Sequence, residues 1–328
     1  MPLPQPIFVA PLSATERRHP RTVRPALLGL LAFGALAGCS TVNRVAVNKL
    51  GDALAAGGDV FASDSDPELI RDAAPFSLKM MESLLAENPR HAGLLAAAAS
   101  GFTQYSYAFV QQQADQMEDK DVAAAAALRA RARGLYLRGR DYALRGLEVA
   151  HPGITAALTQ NPAAALRSCT PADVRLLYWT AASWAAAIVV SKDNPTLIAD
   201  LPQVSALIDR ALALDEGYDH GAIHSFLISY EMGRTDGAGD SAARAREHFE
   251  RAVKLSESRQ AAPFVAYAES VCVQKQDRAQ FQSRLNEALA IDVNARPEWR
   301  LVNLVMQQRA RWLLGRLNEL FLPEDPRP

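Results

Sequence analysis

Cysteine and histidine are scarce in this 328-residue chain, which contains three of the first and six of the second. Long apolar runs are missing too, because the densest one beyond the N-terminal region, residues 181–190, is far short of the ~20 residues of a membrane-spanning helix. The sequence has no glycine-rich phosphate loop, no Gly-x-Ser-x-Gly motif and no Cys-x-x-Cys pair. We therefore expect neither a polytopic membrane protein nor an enzyme, and no cofactor.

An excess of charge of one sign is also lacking, since 35 basic residues face 36 acidic ones. Binding to nucleic acid needs a basic face, so we expect no nucleic-acid partner. Apolar residues make up 49% of the chain, and much of that fraction is alanine. Alanine is the best helix former and lets helices approach closely, so the composition predicts an all-α protein.

The N-terminal region has the order of a secretory signal peptide. Four arginines between residues 17 and 24 precede an apolar stretch over residues 26–35, and Leu36-Ala37-Gly38-Cys39 follows. A cysteine directly after the small residues is typical of a lipobox, in which residues 1–38 are removed and Cys39 is acylated. The apolar stretch is too short for a membrane-spanning anchor, so the lipid would supply the membrane affinity.

Ser40 favours sorting to the outer membrane, since Asp at this position retains lipoproteins at the inner membrane. We therefore expect a bacterial lipoprotein on the periplasmic face of the outer membrane. Without residues 1–38 the chain has a formal charge of −4. Two cysteines remain, Cys169 and Cys272, which are either buried thiols or a disulfide pair.

Helix caps predict the organisation of the rest of the chain. Residues 39–65 form a tether with a first short helix, and residues 66–322 form a single helical domain. Asp66 and Pro67 begin a helix that ends near Asn88, and Asp121 begins another that ends near His151. Further helices are predicted from about 91 to 117, from Thr170 to about Asn194, and from Pro297 to about Phe321.

A degenerate repeat marks the second half. Ala211, Ala252 and Ala288 occupy equivalent positions in three similar helix ends, 41 and 36 residues apart. The tetratricopeptide period is ~34 residues, with two helices per repeat and a small residue where they pack. The sequence thus predicts stacked antiparallel helix pairs in a tetratricopeptide-like solenoid, with a concave surface for a partner.

His220 and His224 are four residues apart and would share one face of a helix, with Asp219 as a third metal ligand. The zinc-protease motif needs Glu after the first His, where this chain has Gly221. The alternative is a polar stripe near a helix start, in which Asp219 interacts with the helix dipole. A metal-dependent hydrolase is therefore a minor hypothesis.

Aromatic residues offer a second set of candidates. Trp179, Trp184, Tyr178 and Phe226 line a ligand cavity or belong to the core. Tyr105, Tyr107 and Phe109 alternate along a predicted helix, so at least one lies near a surface. Six arginines between residues 129 and 145 form either a solvated helix surface or a band that attracts anions.

Several segments resemble the TRAP transporter T-component family: residues 211–224, 248–253, 263–271, 276–278 and 309–314. The resemblance implies a homotrimer with a central pore and, as partner, a periplasmic solute-binding protein, the P component. It also implies passage of small organic acids or apolar ligands. We list six candidate ligand-binding or pore-lining residues: Trp179, Trp184, Tyr218, His220, His224 and Tyr267. A general tetratricopeptide scaffold in envelope assembly is the alternative.

Overall fold

A computed structural model describes residues 48–234 and 236–323 of the chain. Regular structure over these residues is helical, without strands, so the all-α prediction is confirmed. The predicted signal peptide and the predicted lipid attachment at Cys39 lie outside the described residues. No helix within the described part of the chain is both long and apolar enough to cross a bilayer.

The first half of the described chain contains three long helices. Their bounds are Pro67–Glu87 (α1), Ala92–Tyr105 (α2) and Val122–Ala150 (α3). The side chain of Asp66 accepts hydrogen bonds from the first turn of α1, and that of Asp121 does so for α3, so both predicted caps are confirmed. Short helical segments precede α1 at residues 48–56 and at Gly58–Ala62.

The helix predicted to follow α1 has an internal π-helical turn. It is α-helical over α2, π-helical over Ser106–Gln111, and α-helical again over Gln112–Met117. A π turn accommodates an extra residue and changes the direction of the side chains on either side of it, and such turns are frequent at functional sites.

The fourth long helix, α4, spans Val174–Val189 and begins as the sequence predicts. Thr170 and Asp173 form a reciprocal capping box around a 3₁₀ turn, Pro171–Asp173. The connector between α3 and α4 holds short helices at Ile154–Gln160 and Pro162–Ala165.

Six longer helical segments follow: Leu201–Leu214 (α5), Ala222–Gly233 (α6), Ser241–Leu255 (α7), Ala262–Tyr267 (α8), Arg278–Leu289 (α9) and Arg300–Leu314 (α10). A second π-helical turn, Ala268–Cys272, continues α8. The repeat positions Ala211, Ala252 and Ala288 are almost completely buried, as close helix packing requires.

The predicted C-terminal helix is wrong in its extent. Pro297–Trp299 is a 3₁₀ turn, α10 ends at Leu314, and Leu317–Leu320 is a separate turn of helix. Gly315, which has poor helix propensity, stands at the break. The change of direction lets Phe321 pack against Phe281 with ring centroids 5.0 Å apart.

The helix stack closes on itself through α10, which contacts Gly58–Ala62 and α1 as well as its neighbour α9. The guanidinium of Arg300 donates to the carbonyl oxygen of Ser63 at 2.7 Å. Arg309 pairs with Asp115 at 2.9 Å and also with Glu269. The last long helix therefore joins the N-terminal and C-terminal parts of the described chain.

Cys169 and Cys272 are both free and buried. Cys169 belongs to the core formed mainly by α3 to α6, whereas Cys272 belongs to the core formed by α6 to α10. Of the two alternatives that the sequence leaves open, the structure has the buried thiols.

Gly139 allows α2 and α3 to approach closely. A Cβ atom at this position would lie 2.7 Å from Thr103 Oγ1 and 3.1 Å from the carbonyl oxygen of Ala99. Gly134 lies on the same helix, but a Cβ atom there would meet nothing within 4 Å. The two glycines therefore separate the effect of helix contact from that of helix propensity.

We predict that Gly139→Ala destabilises the protein by about 1–3 kcal/mol, because the added methyl group overpacks the contact between α2 and α3. Gly134→Ala is the control and stabilises the protein by up to about 1 kcal/mol, because alanine is the better helix former. Urea unfolding followed by circular dichroism measures both free energies. Equal effects of the two substitutions would contradict the close approach.

Candidate functional site

Five half-buried aromatic side chains form one contiguous group between α4, the turn before α6, and α6 itself. We call this group the aromatic cluster; its members are Tyr178, Trp179, Tyr218, Phe226 and Tyr230. The ring centroid of Tyr178 lies 4.9 Å from that of Trp179, 5.4 Å from that of Tyr218 and 6.4 Å from that of Phe226. Offset and edge contacts at these distances are favourable for aromatic rings. The cluster thus offers a preformed apolar surface with hydroxyl groups.

The hydroxyls of the aromatic cluster are neutral at physiological pH. Burial, followed by the charge of Asp219, raises the pKa of Tyr218 to about 12, and the same two causes raise the pKa of Tyr178. The hydroxyl of Tyr230 lies 2.8 Å from that of Ser205. The structure therefore brings two of the candidate residues, Trp179 and Tyr218, into one group through Tyr178.

His220 does not share a helix face with His224. Asp219 and His220 have left-handed backbone conformations, with φ of 44° and 53°, in a 3₁₀ turn that ends before α6 begins. The side chain of His220 is exposed and its ring packs edge-on against Trp299, with centroids 5.0 Å apart. The predicted helical spacing is therefore wrong here, because the chain reverses its backbone twist between the two histidines.

His224 lies inside the helix stack and faces a second histidine. It is only 5% exposed, and its Nδ1 atom lies 2.9 Å from Nδ1 of His248 on α7. Glu216, which pairs with Arg251, lies 3.7 Å from the Nε2 atom of His224. Burial, followed by the charge of His248, lowers the pKa of His224 to about 4, so both rings are neutral at pH 7.

The last two candidates, Trp184 and Tyr267, are buried in the core. The indole Nε1 of Trp184 donates to Asp200 at 3.1 Å, and Arg140 lies over its ring. The ring of Tyr267 packs against that of Phe249 with centroids 4.7 Å apart.

Phe249 also lines a cavity of about 490 Å³ between α7, α8 and α9. Apolar side chains form its walls, and positively and negatively charged side chains form its rim. The lining residues are Phe249, Val253, Ser258, Arg259, Phe264, Arg284, Glu287, Ala290, Ile291, Asp292 and Ala295. Arg284 contacts both the rim and the walls, since it pairs with Glu287 at 2.8 Å and lies over the Phe249 ring. An amphipathic ligand with an apolar body and an anionic end would match this lining.

Asp219, His220 and His224 do not form a metal site in this arrangement. Among the described residues, the one group of three or more possible ligands whose ligand atoms all lie within 4.8 Å is His151, Cys169 and Asp173. The hydrolase hypothesis loses its ligand set, because the turn at Asp219 and His220 separates its members.

Four of the six arginines of α3 contact other side chains: Arg129, Arg138, Arg140 and Arg145. Arg138 pairs with Glu82 at 2.8 Å and covers the Phe102 ring, while Arg145 lies over the Tyr142 ring. Arg129 pairs with Glu118. These contacts match the expected covering of apolar neighbours by arginine stems.

The sequence does not reveal a buried ionic group at the point where the stack closes. We call it the closure cluster: Tyr107, Asp115, Glu269, Arg309 and Trp312. Tyr107 and Glu269 lie on the two π-helical turns, and both pack around α10. Arg309 lies 4.3 Å above the Trp312 ring. Burial raises the pKa of Tyr107 to about 12.

Comparison with known proteins gives two findings. A family model described as "TRAP transporter T-component" matches residues 63–321, which include the whole stack from α1 to α10. The chain belongs to the TRAP transporter T-component family. A similar protein, an uncharacterized protein of Treponema pallidum (strain Nichols), is 32% identical over 267 residues, which cover 80% of this chain and 83% of that protein.

Membership of the T-component family confirms the resemblance of the five sequence segments. It gives this chain a role as a transport-associated component. The family connects the protein with a TRAP transporter system.

We predict that acid weakens the fold through His224. Its pKa is about 4 in the folded state and 6.5 in the ordinary state, so its contribution is complete above pH 6.5 and is lost as the pH falls towards 4. At 1.36 kcal/mol for each pKa unit, the loss amounts to about 3 kcal/mol.

Urea unfolding at pH 7 and at pH 4.5 measures this loss. A His224→Met, His248→Met double variant should lose less stability over the same interval, whereas His220→Gln, which changes an exposed histidine, should behave as the wild type does. A double variant with the same pH dependence as the wild type would contradict the role of the buried pair.

Proposed function

We propose that this protein is a lipid-anchored T component that faces the periplasm and holds the periplasmic solute-binding protein of a TRAP uptake system. The observation that carries the proposal is the family match over residues 63–321. The anchor would be the acylated Cys39, at the outer membrane, as the lipobox and Ser40 predict.

The aromatic cluster supports a binding role. Tyrosine and tryptophan are enriched at protein interfaces, because they combine apolar area with a polar group at low conformational cost. Tyr178, Trp179 and Tyr218 are half-buried and held in place by one another. In the proposed role they contact the solute-binding protein or an apolar part of its solute.

The cavity beside Phe249 suits the proposed class of solute. Its apolar walls would hold the body of a small organic acid, and Arg259 or Arg284 at the rim would hold the carboxylate. Glu287 and Asp292 give the same rim negative charge. Because positive and negative groups share the rim, an anionic solute would be bound weakly. Weak binding suits transfer of the solute rather than its storage.

An exposed apolar stripe on α1 supports the proposed homotrimer with its pore. Leu69, Phe76 and Met80 are 56%, 70% and 36% exposed, and their spacing places them on one face of the helix. Exposed apolar groups of this kind mark interaction surfaces. We propose that this stripe packs against a neighbouring subunit.

We predict that Phe76→Glu converts a trimer into a monomer, because it places a charge in the centre of the stripe. Light scattering after size exclusion of residues 40–328 measures the mass, which should be three times that of the chain in the wild type. Val122→Glu is the matched control, since Val122 is 67% exposed but lies at the start of α3. A strictly monomeric wild type would remove the pore and favour a general envelope scaffold.

We predict that Cys39→Ser abolishes incorporation of radiolabelled palmitate, because the acceptor sulfur is lost. Ser40→Asp is the companion variant: it should keep the label and move the protein from outer-membrane to inner-membrane fractions.

Affinity capture of the wild type from solubilised envelopes should recover a periplasmic solute-binding protein. Capture that never recovers one would contradict the proposed partner.

A further inference from the structure

Three segments that are separate in the sequence meet between the end of α3 and the start of α4. His151 follows the last residue of α3, Cys169 ends the connector, and Asp173 completes the capping box before α4. None of these three residues belongs to the aromatic cluster, to the cavity lining or to the closure cluster.

The possible ligand atoms of these residues face one another. His151 Nε2 lies 3.1 Å from Asp173 Oδ2, and the Cys169 sulfur lies within 4.8 Å of both side chains' ligand atoms. Zinc bonds of about 2.0–2.3 Å hold tetrahedral ligand atoms roughly 3.3–3.8 Å apart. The distance between His151 Nε2 and Asp173 Oδ2 is therefore close to the one that zinc requires, and the Cys169 sulfur would have to move by at most about an ångström.

The Nε2 nitrogen of His151 is buried and faces the carboxylate of Asp173 without a well-aligned hydrogen bond. This atom is inaccessible to solvent and makes no hydrogen bond of acceptable geometry among the described residues, although Asp173 is close. The other ring nitrogen, Nδ1, lies 3.3 Å from Ser168 Oγ. A hydrogen bond from Nδ1 to that oxygen would leave the Nε2 lone pair free to bind a metal.

The other two candidate ligands, Asp173 and Cys169, lie in different environments. The backbone N–H and the hydroxyl of Thr170 donate to Asp173 Oδ2 at 2.7 and 3.0 Å, which orients the carboxylate. Although burial opposes it, these bonds and His151 lower the pKa of Asp173. The Cys169 sulfur is buried beside this carboxylate, within reach of the same ion.

We propose that His151, Cys169 and Asp173 bind one zinc ion. A set of one sulfur, one nitrogen and one oxygen suits Zn²⁺, whereas Ca²⁺ and Mg²⁺ prefer oxygen ligands alone. The thiolate and the carboxylate together neutralise the ion, so Arg210, which donates to the Cys169 carbonyl oxygen at 2.5 Å, faces no net positive charge. A water molecule would complete the four-coordinate shell, as zinc sites with three protein ligands require.

The bound ion would fasten the connector between α3 and α4 to the two helices that it joins. Of its ligands, His151 belongs to the α3 end, Asp173 to the α4 start and Cys169 to the connector itself. Zinc binding would therefore stabilise the folded protein, and the stabilisation would grow with the concentration of free zinc.

The test uses the full chain, purified in detergent without a polyhistidine tag and stripped with a chelator. Zinc titration by calorimetry gives the stoichiometry and the affinity, and Co²⁺ replaces zinc as a spectroscopic probe. We expect one equivalent of zinc, and a sulfur-to-cobalt charge-transfer band in the near ultraviolet. Cys169→Ala should abolish the band, and His151→Gln should weaken zinc binding by at least about 100-fold, the upper end of the loss caused by outer-shell changes.

Cys272→Ala is the matched control, since Cys272 is also buried and free but does not belong to the proposed ligand set. It should keep both the zinc stoichiometry and the cobalt band. Circular dichroism verifies that each variant is folded. If Cys169→Ala does not fold, His151→Gln tests the site instead, because it leaves the core cysteine unchanged. Absence of zinc binding by the wild type, or equal binding by wild type and His151→Gln, would overturn the proposal and leave the three residues as a helix-capping network.

Discussion

The architecture depends on a buried cation, Arg309. Its side chain is almost completely removed from solvent and pairs with Asp115 and with Glu269, while Trp312 covers one face of its guanidinium. A buried ion pair costs desolvation energy when it forms, and removal of one partner costs about 3–5 kcal/mol because a charge is left uncompensated. The pairs therefore fix which segments must lie together, and the pair with Asp115 joins parts of the chain that are nearly two hundred residues apart.

Different helices form the packed framework and the surfaces that we propose for binding. The alanine-rich packing of α2 to α4 gives a dense framework, in which Gly139 permits a close contact between α2 and α3. The aromatic cluster lies on that framework at α4 and α6, and the cavity beside Phe249 lies farther along, at α7 to α9. The surfaces that we propose for a protein partner, for a solute and for a neighbouring copy are formed by different helices: α4 and α6, α7 to α9, and α1.

Much of the fold could be predicted from local chemistry, because caps such as Asp66 and Asp121 act within one turn of a helix. The candidate site was predicted only in part. Trp179 and Tyr218 come together, but His220 and His224 do not, because left-handed residues interrupt the spacing. The π-helical turns have no residue signature, and the partner of Arg309 is set by tertiary packing. Such long-range pairing cannot be read from a single sequence.

Closure of the stack by α10 changes how the protein can come apart. In an open repeat array the terminal helices have a neighbour on one side only, so unfolding can start at either end and spread inward. Here α1 and α10 are neighbours, so neither is a free end of the described stack. Loss of either helix removes support from the other, and the molecule should unfold as one cooperative unit rather than by fraying. The surfaces that we propose for binding would therefore keep their relative positions until the whole protein unfolds.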